Sequence, residues 1–112
     1  MIIQQRDVGN VVVLDIDGKL MGGADAELFQ QAVQGLVESG RQRILVNLGS
    51  VKWVNSTGLG ILIAGFQAAR RGGGTLKLLH VSERIQDLLK ITKLSSVIES
   101  YEAEAEAVES FV

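Results

Sequence analysis

The sequence predicts a single α/β domain with a mixed, mostly parallel sheet and the element order ββαβαβαβα. Two observations support this fold class. Short apolar segments with strand periodicity alternate along the chain with segments whose apolar residues recur at helical spacing. Strands that alternate with helices form parallel neighbours joined by right-handed crossovers. The length of 112 residues is that of one domain with a sizeable core.

The first two strands are predicted to form a hairpin, which supplies the one antiparallel pair. A Gly9-Asn10 turn signal precedes an alternation of apolar residues over positions 12–16, so the second strand should end near Gly18. The first helix is predicted over residues 24–38. Its expected buried face consists of Leu28, Phe29, Ala32, Val33, Leu36 and Val37.

The middle of the chain contains two further strands around a second helix. Residues 43–48, RILVNL, form a short apolar run typical of a buried strand. A helix is predicted over residues 57–71, and the three glycines at 72–74 end it. Residues 75–81, TLKLLHV, predict the next strand. The buried stripe of this second helix should comprise Leu59, Leu62, Ile63, Phe66 and Ala69.

The C-terminal part predicts a short helix, a brief strand and a final helix. Ser82 is a suitable N-cap residue for the third helix, and residues 95–101, SSVIESY, predict the last strand. The tail alternates Glu with Ala, and both residue types favour a helix whose glutamates face solvent. One side of this helix should carry Ala105, Val108 and either Phe111 or Val112.

Composition excludes several function classes. The chain has no cysteine and one histidine, which argues against disulfides, a metal site and an extracellular environment. A net charge of −2 does not indicate a basic surface of the kind that binds nucleic acid. The N-terminus has no secretory signal pattern, and the longest apolar run, residues 59–66, is far shorter than the ~20 residues of a membrane helix. We therefore expect a cytoplasmic protein without membrane insertion or a cofactor.

The stretch WVNSTGLGILI places small polar residues between two apolar runs. Catalysis by Ser56 is disfavoured, because the G-x-S-x-G elbow is missing and His80 is the only candidate base. The glycines match neither a dinucleotide fingerprint nor a phosphate loop. One of residues 55–57 should cap the following helix. The hydroxyl pair beside Trp53, with glycines at 58 and 60, indicates a contact surface as well.

This stretch resembles the D-S-[ST]-G-L-G signature of the anti-sigma-factor antagonists, which define the STAS domain. The resemblance extends over residues 1–112, through VVVLDIDGKL, RILVNL and GGTLKLLHVSERIQDLLKITKL. It implies a mixed sheet with helices packed mainly against one face. It also implies that an anti-sigma factor, which is at the same time a serine-protein kinase, phosphorylates the serine of the motif. Carried onto this chain, the phosphoacceptor is Ser56.

The resemblance predicts a non-enzymatic partner switch that regulates transcription or a related signalling output. The unphosphorylated chain should bind the anti-sigma factor/serine kinase and release it when Ser56 is phosphorylated, and a serine phosphatase is a further expected partner. Two residues depart from the family pattern, since Asn55 and Met21 stand where Asp is common. The expected partner-binding residues are Met21, Gly22, Gly23, Ala24, Asn55, Thr57, Gly58 and Leu59.

Two other hypotheses remain open on the sequence alone. The chain could be a STAS adaptor subunit of a transport or signalling complex without phosphoswitching. Such an adaptor needs no phosphorylatable residue at the turn, whereas the switch requires one. An enzyme or nucleotide-binding domain that uses Ser56 and the glycines is the third hypothesis.

Overall fold

The computed structural model describes residues 1–111 of the chain. Val112 lies outside the described residues; it is one of the two residues expected at the end of the apolar face of the final helix. The predicted element order is confirmed. The elements are β1 (Ile2–Val8), β2 (Val11–Leu20), α1 (Ala24–Glu38), β3 (Arg43–Val54), α2 (Ser56–Arg71), β4 (Thr75–Leu79), α3 (Glu83–Ile91), a 3₁₀ turn (Leu94–Ser96), β5 (Ser100–Tyr101) and α4 (Glu104–Glu109).

Five strands form one sheet in the order β1-β2-β3-β4-β5. The hairpin pair β1 and β2 is antiparallel, and every other neighbouring pair is parallel. Leu14, Val46 and Leu78 lie side by side on consecutive strands. The mixed, mostly parallel sheet predicted from the alternation of elements is therefore confirmed.

The main difference from the predicted boundaries is the length of β3. It continues beyond Leu48 to Val54, because the end of β2 stays paired with it through Gly18 and Leu20, with register shifts on the way. The GSVKWV segment begins with Gly49 and Ser50, residue types that usually bound a strand, so the predicted strand ended at Leu48. At the other end of the chain, the last strand is only the two residues Ser100–Tyr101.

The two faces of the sheet are covered unequally. Residues 12, 14 and 16 of β2 point into a large core shared with α1, α2 and α3, whereas their neighbours Val11 and Val13 pack with Ala107 and Phe111 around α4. Because side chains alternate between the faces of a strand, these two cores lie on opposite faces. The expectation that helices pack mainly against one face is confirmed.

One residue of the predicted α1 face is placed differently. Leu28 is 44% exposed, whereas Phe29 and Val33 are fully buried. Adjacent residues point in directions about 100° apart around a helix, so Leu28 and Phe29 do not both point straight at the core. Phe29 takes that position and packs over the backbone of Gly65, where a Cβ would lie 2.3 Å from its Cε2 atom. The expectation that Leu28 covers the sheet was therefore wrong.

A charged cluster joins the hairpin to α4. Arg6 donates to the carboxylate of Asp15 at 2.7 Å and also pairs with Glu104, and Asn47 donates to Asp15 at 2.8 Å. The Arg6 guanidinium holds the pKa of both carboxyl groups below their usual values. The expectation that the tail glutamates only face solvent was therefore wrong for Glu104.

Lys77 anchors the other end of α4. Its side chain is buried, and its Nζ atom donates to the Ser110 carbonyl oxygen and hydroxyl at 3.0 Å each. It also pairs with Glu99 at 2.7 Å and lies 4.8 Å from the centre of the Phe111 ring. A cation at a helix C-terminus interacts favourably with the helix dipole. The short α4, which would be unstable alone, is thus held at both ends by charged groups.

Candidate functional site

The candidate site is the turn between β3 and α2. Asn55 caps the helix: its Oδ1 atom accepts a hydrogen bond from the backbone N–H of Gly58 at 2.8 Å, and its own backbone is extended. Ser56 and Thr57 follow as the first two residues of α2, and both are exposed. In the described part of the chain, neither hydroxyl group takes part in a side-chain hydrogen bond that holds the turn. The Ser56 hydroxyl is therefore accessible and has no structural task.

The loop of residues 21–24 lies against this turn. Asn55 donates from its Nδ2 atom to the backbone oxygen of Met21 at 3.4 Å. A Cβ on Gly22 would lie 2.9 Å from the Cγ2 atom of Thr57, and Gly22 has a φ of 118° that other residues rarely adopt. The loop therefore lies against the residues on either side of Ser56. Met21 presents a side chain that is 45% exposed.

Gly58 and Leu59 have a different role from the one expected of them. Both are buried, so neither is available at the surface for a partner to touch. A Cβ on Gly58 would lie 1.7 Å from the backbone oxygen of Leu20. Gly58 therefore lets the first turn of α2 approach the end of β2, and Leu59 belongs to the core. Of the two glycines in the motif, only Gly60 is exposed.

This difference makes a matched pair of substitutions informative. We expect Gly58→Ala to destabilise the fold by ~1–3 kcal/mol, because backbone atoms must move to admit the methyl group. Gly60→Ala, in the same helix with nothing within 4 Å of the added Cβ, should stabilise it by ~0.5–1 kcal/mol. Chemical denaturation of both variants measures the two effects. Equal stability of the two variants would contradict the close approach of α2 to β2.

An exposed tryptophan stands just before the turn. Trp53 is 62% exposed and lies opposite Lys19 in the pairing of β2 with β3. Met21, whose backbone oxygen accepts from Asn55, is a second exposed large apolar residue near the turn. Single exposed apolar residues are common, but a pair beside one accessible polar turn is typical of a contact surface.

Arg84 also reaches the turn, which the sequence analysis did not identify. It is the second residue of α3, and its Nε atom donates to the backbone oxygen of Val54 at 3.0 Å. Ser82 caps the same helix through the backbone N–H of Ile85 at 3.2 Å. No local sequence pattern connects Arg84 to a turn so distant along the chain. The contact arises from the packing of α3 beside α2.

His80 and Ser56 are not joined by a hydrogen bond within residues 1–111. His80, the only histidine, packs against Gly49. In the same range, no group of three or more His, Asp or Glu residues is arranged to hold a metal ion. No described helix is long and apolar enough to cross a membrane.

Comparison with known proteins identifies the family of the chain. The family model of the STAS domain matches residues 3–107. The anti-sigma-B factor antagonist of Bacillus subtilis (strain 168) is 33% identical over 88 residues, which cover 76% of this chain and 80% of that protein.

Solved structures share the fold. An anti-sigma factor antagonist from Mycobacterium paratuberculosis has a TM-score of 0.82 at 19% identity, covering 98% of this chain and 92% of that one. The phosphorylated form of the Bacillus cell fate determinant SpoIIAA has a TM-score of 0.75 at 19% identity, covering 97% of this chain and 98% of that one. With a family match over almost its whole length, the chain belongs to the STAS domain family.

Proposed function

We propose that this protein is an anti-sigma factor antagonist that switches partners by phosphorylation of Ser56. The observation that carries the proposal is the Ser56 hydroxyl itself, exposed at the first position of α2 and not needed by the fold. The name of the Bacillus subtilis relative supports the antagonist function. The solved phosphorylated form of SpoIIAA supports a phosphorylated state of this fold.

The proposed partner is an anti-sigma factor that is also a serine kinase, and a serine phosphatase reverses the modification. The chain supplies the acceptor, and the kinase supplies ATP and the catalytic base, so the protein itself is not an enzyme. The proposed contact surface surrounds Ser56. It consists of Met21, Gly22, Gly23, Ala24, Asn55 and Thr57, together with the exposed Trp53.

The buried Gly58 and Leu59 act on this surface only indirectly. They fix where α2 begins relative to β2, and with it the position of Ser56 beside the loop of residues 21–24. The partner therefore meets the start of α2 together with the loop of residues 21–24.

Phosphotransfer tests the proposal. Incubation with the cognate kinase and ATP should add one phosphate to the chain, and peptide mapping by mass spectrometry should place it on Ser56. Ser56→Ala should abolish the transfer while partner binding is retained. Thr57→Val is the matched control, because it removes the neighbouring hydroxyl group and keeps the methyl group beside Gly22.

Two outcomes would contradict the switch. Phosphate on Thr57, with Ser56 unmodified, would assign the wrong acceptor. Recovery of transporter subunits by the native protein, with no kinase among its partners, would favour the adaptor function instead.

A further inference from the structure

Arg84 is a cationic side chain that the fold ties to the end of β3, two residues before the proposed phosphoacceptor. The hydrogen bond from its Nε atom to the backbone oxygen of Val54 is 3.0 Å long. Val54 is the last residue of β3, and Ser56 begins α2 after the single residue Asn55. The guanidinium group is therefore hydrogen-bonded to the backbone of Val54, two residues before Ser56, the residue that receives the phosphate.

The rest of the guanidinium group remains available for a ligand. Within residues 1–111, the Arg and Lys side chains that pair with a carboxylate are Arg6, Arg41 and Lys77, and Arg84 is not among them. Its two Nη atoms make no side-chain hydrogen bond among the described residues, and the residue is exposed. The planar guanidinium group of an arginine presents several N–H donors in a fixed arrangement, which matches the geometry of phosphate oxygens.

We propose that Arg84 pairs with the phosphate of phosphorylated Ser56 and joins the start of α3 to the start of α2 in that state. This inference rests on the proposed phosphorylation of Ser56 and goes beyond it, because it assigns the group that receives the phosphate within the chain. The Nε bond to Val54 keeps the stem of Arg84 in place in the unmodified protein. Less side-chain freedom is then lost when the Nη atoms bind phosphate.

The pairing has a consequence for the switch. The new charge is drawn toward α3 instead of pointing freely into solvent, and the modified turn becomes more rigid. A partner that contacts the unmodified turn then meets an ion pair already satisfied within the chain. Binding would require breaking that pair or burying it, and either step weakens the complex.

Carboxylates on α3 and α1 contribute to the electrostatic potential in which Arg84 acts. Glu83 and Asp87 flank Arg84 on α3, and Asp25 and Glu27 lie in the first turn of α1, where Asp25 pairs with the N-terminal amine at 3.6 Å. All of them disfavour the dianionic phosphate. They are unchanged when Arg84 alone is replaced, so a difference between variants isolates the contribution of Arg84.

The test uses the full chain with phosphoserine incorporated at position 56 during translation, so it needs no kinase and no partner. Phosphorus NMR measures the second pKa of the phosphate in the wild type, Arg84→Gln and Arg84→Lys. Arg84→Gln should raise this pKa by roughly 0.7 unit, the effect of one charge about 4 Å away in water. Arg84→Lys should restore part of the difference. Arg71→Gln, an exposed Arg at the opposite end of α2, is the control and should leave the pKa unchanged.

The outcomes separate this inference from the proposed function. The same phosphate pKa in wild type and Arg84→Gln would overturn the pairing, even if phosphorylation still releases the partner. An equal rise in Arg84→Gln and Arg71→Gln would also overturn it, because the effect would then follow net charge alone. The phosphate pKa could differ as expected between wild type and Arg84→Gln while no kinase phosphorylates the unmodified chain. That result would support the pairing and contradict the proposed switch.

Discussion

Phosphorylation of Ser56 is expected to lower the affinity for the partner kinase at least about 100-fold, while the fold remains intact. The modification adds about −1.5 to −2 charges and three strong acceptor oxygens at pH 7. A closely packed partner has to desolvate that charge. A 100-fold loss corresponds to about 2.8 kcal/mol, a cost that burying the added charge, or separating it from its partner group, readily reaches at a closely packed interface.

The fold should tolerate the same charge because of where the turn places it. Ser56 is exposed at the start of α2, where free backbone N–H groups and the positive end of the helix dipole favour an anion. The Asn55 cap does not involve the Ser56 hydroxyl group and remains available. The unfolding midpoint should therefore change little.

Calorimetric titration of the partner with four forms of the chain measures the effect. The unmodified protein and Ser56→Ala should bind alike, whereas the phosphorylated protein and Ser56→Glu should bind more weakly, with Ser56→Glu showing the smaller loss. Met21→Arg tests the adjoining surface; Gly23 is unsuited to the same substitution, because its φ of 66° would itself strain an arginine. Equal affinity of phosphorylated and unmodified protein would exclude the switch.

The parts of the site that follow from local patterns were predictable from the sequence. Asn55 belongs to the residue types that cap helices, and it directly precedes a run with helical periodicity, so a cap among residues 55–57 was expected. The inclusion of residues 21–24 in the same surface came from the family resemblance, and the hydrogen bond from Asn55 to the backbone oxygen of Met21 joins the two segments in the structure. Element order and sheet type also follow from local patterns.

The remaining features depend on packing between distant segments. The contact of Arg84 with Val54 and the pairing of Arg6 with Glu104 each join residues far apart in sequence. Gly58 was read as a residue that admits a partner, whereas the atom it admits is the backbone oxygen of Leu20. In each case the residue type was informative, but its neighbour could be identified only from the fold.

The buried face of α2 gives the other large expected effect. Leu62→Ala should destabilise the protein by ~2–5 kcal/mol, because Leu62 is 1% exposed and its removal leaves a cavity between the helices and the sheet. Leu28→Ala is the matched control on α1: the same substitution at a position that is 44% exposed should change the free energy of unfolding by less than about 0.5 kcal/mol. Urea or guanidinium unfolding of the two variants provides the comparison.

The contrast between the two leucines also tests the orientation of both helices. The sequence placed both residues on buried faces, so a pattern based on periodicity alone predicts similar losses. The structure predicts a large loss for Leu62 and almost none for Leu28, because Phe29 occupies the inward position on α1. Similar losses for the two variants would show that α1 is rotated about its axis relative to this structure. That rotation would also move the loop of residues 21–24, which leads directly into α1, away from Ser56 and remove the proposed contact surface.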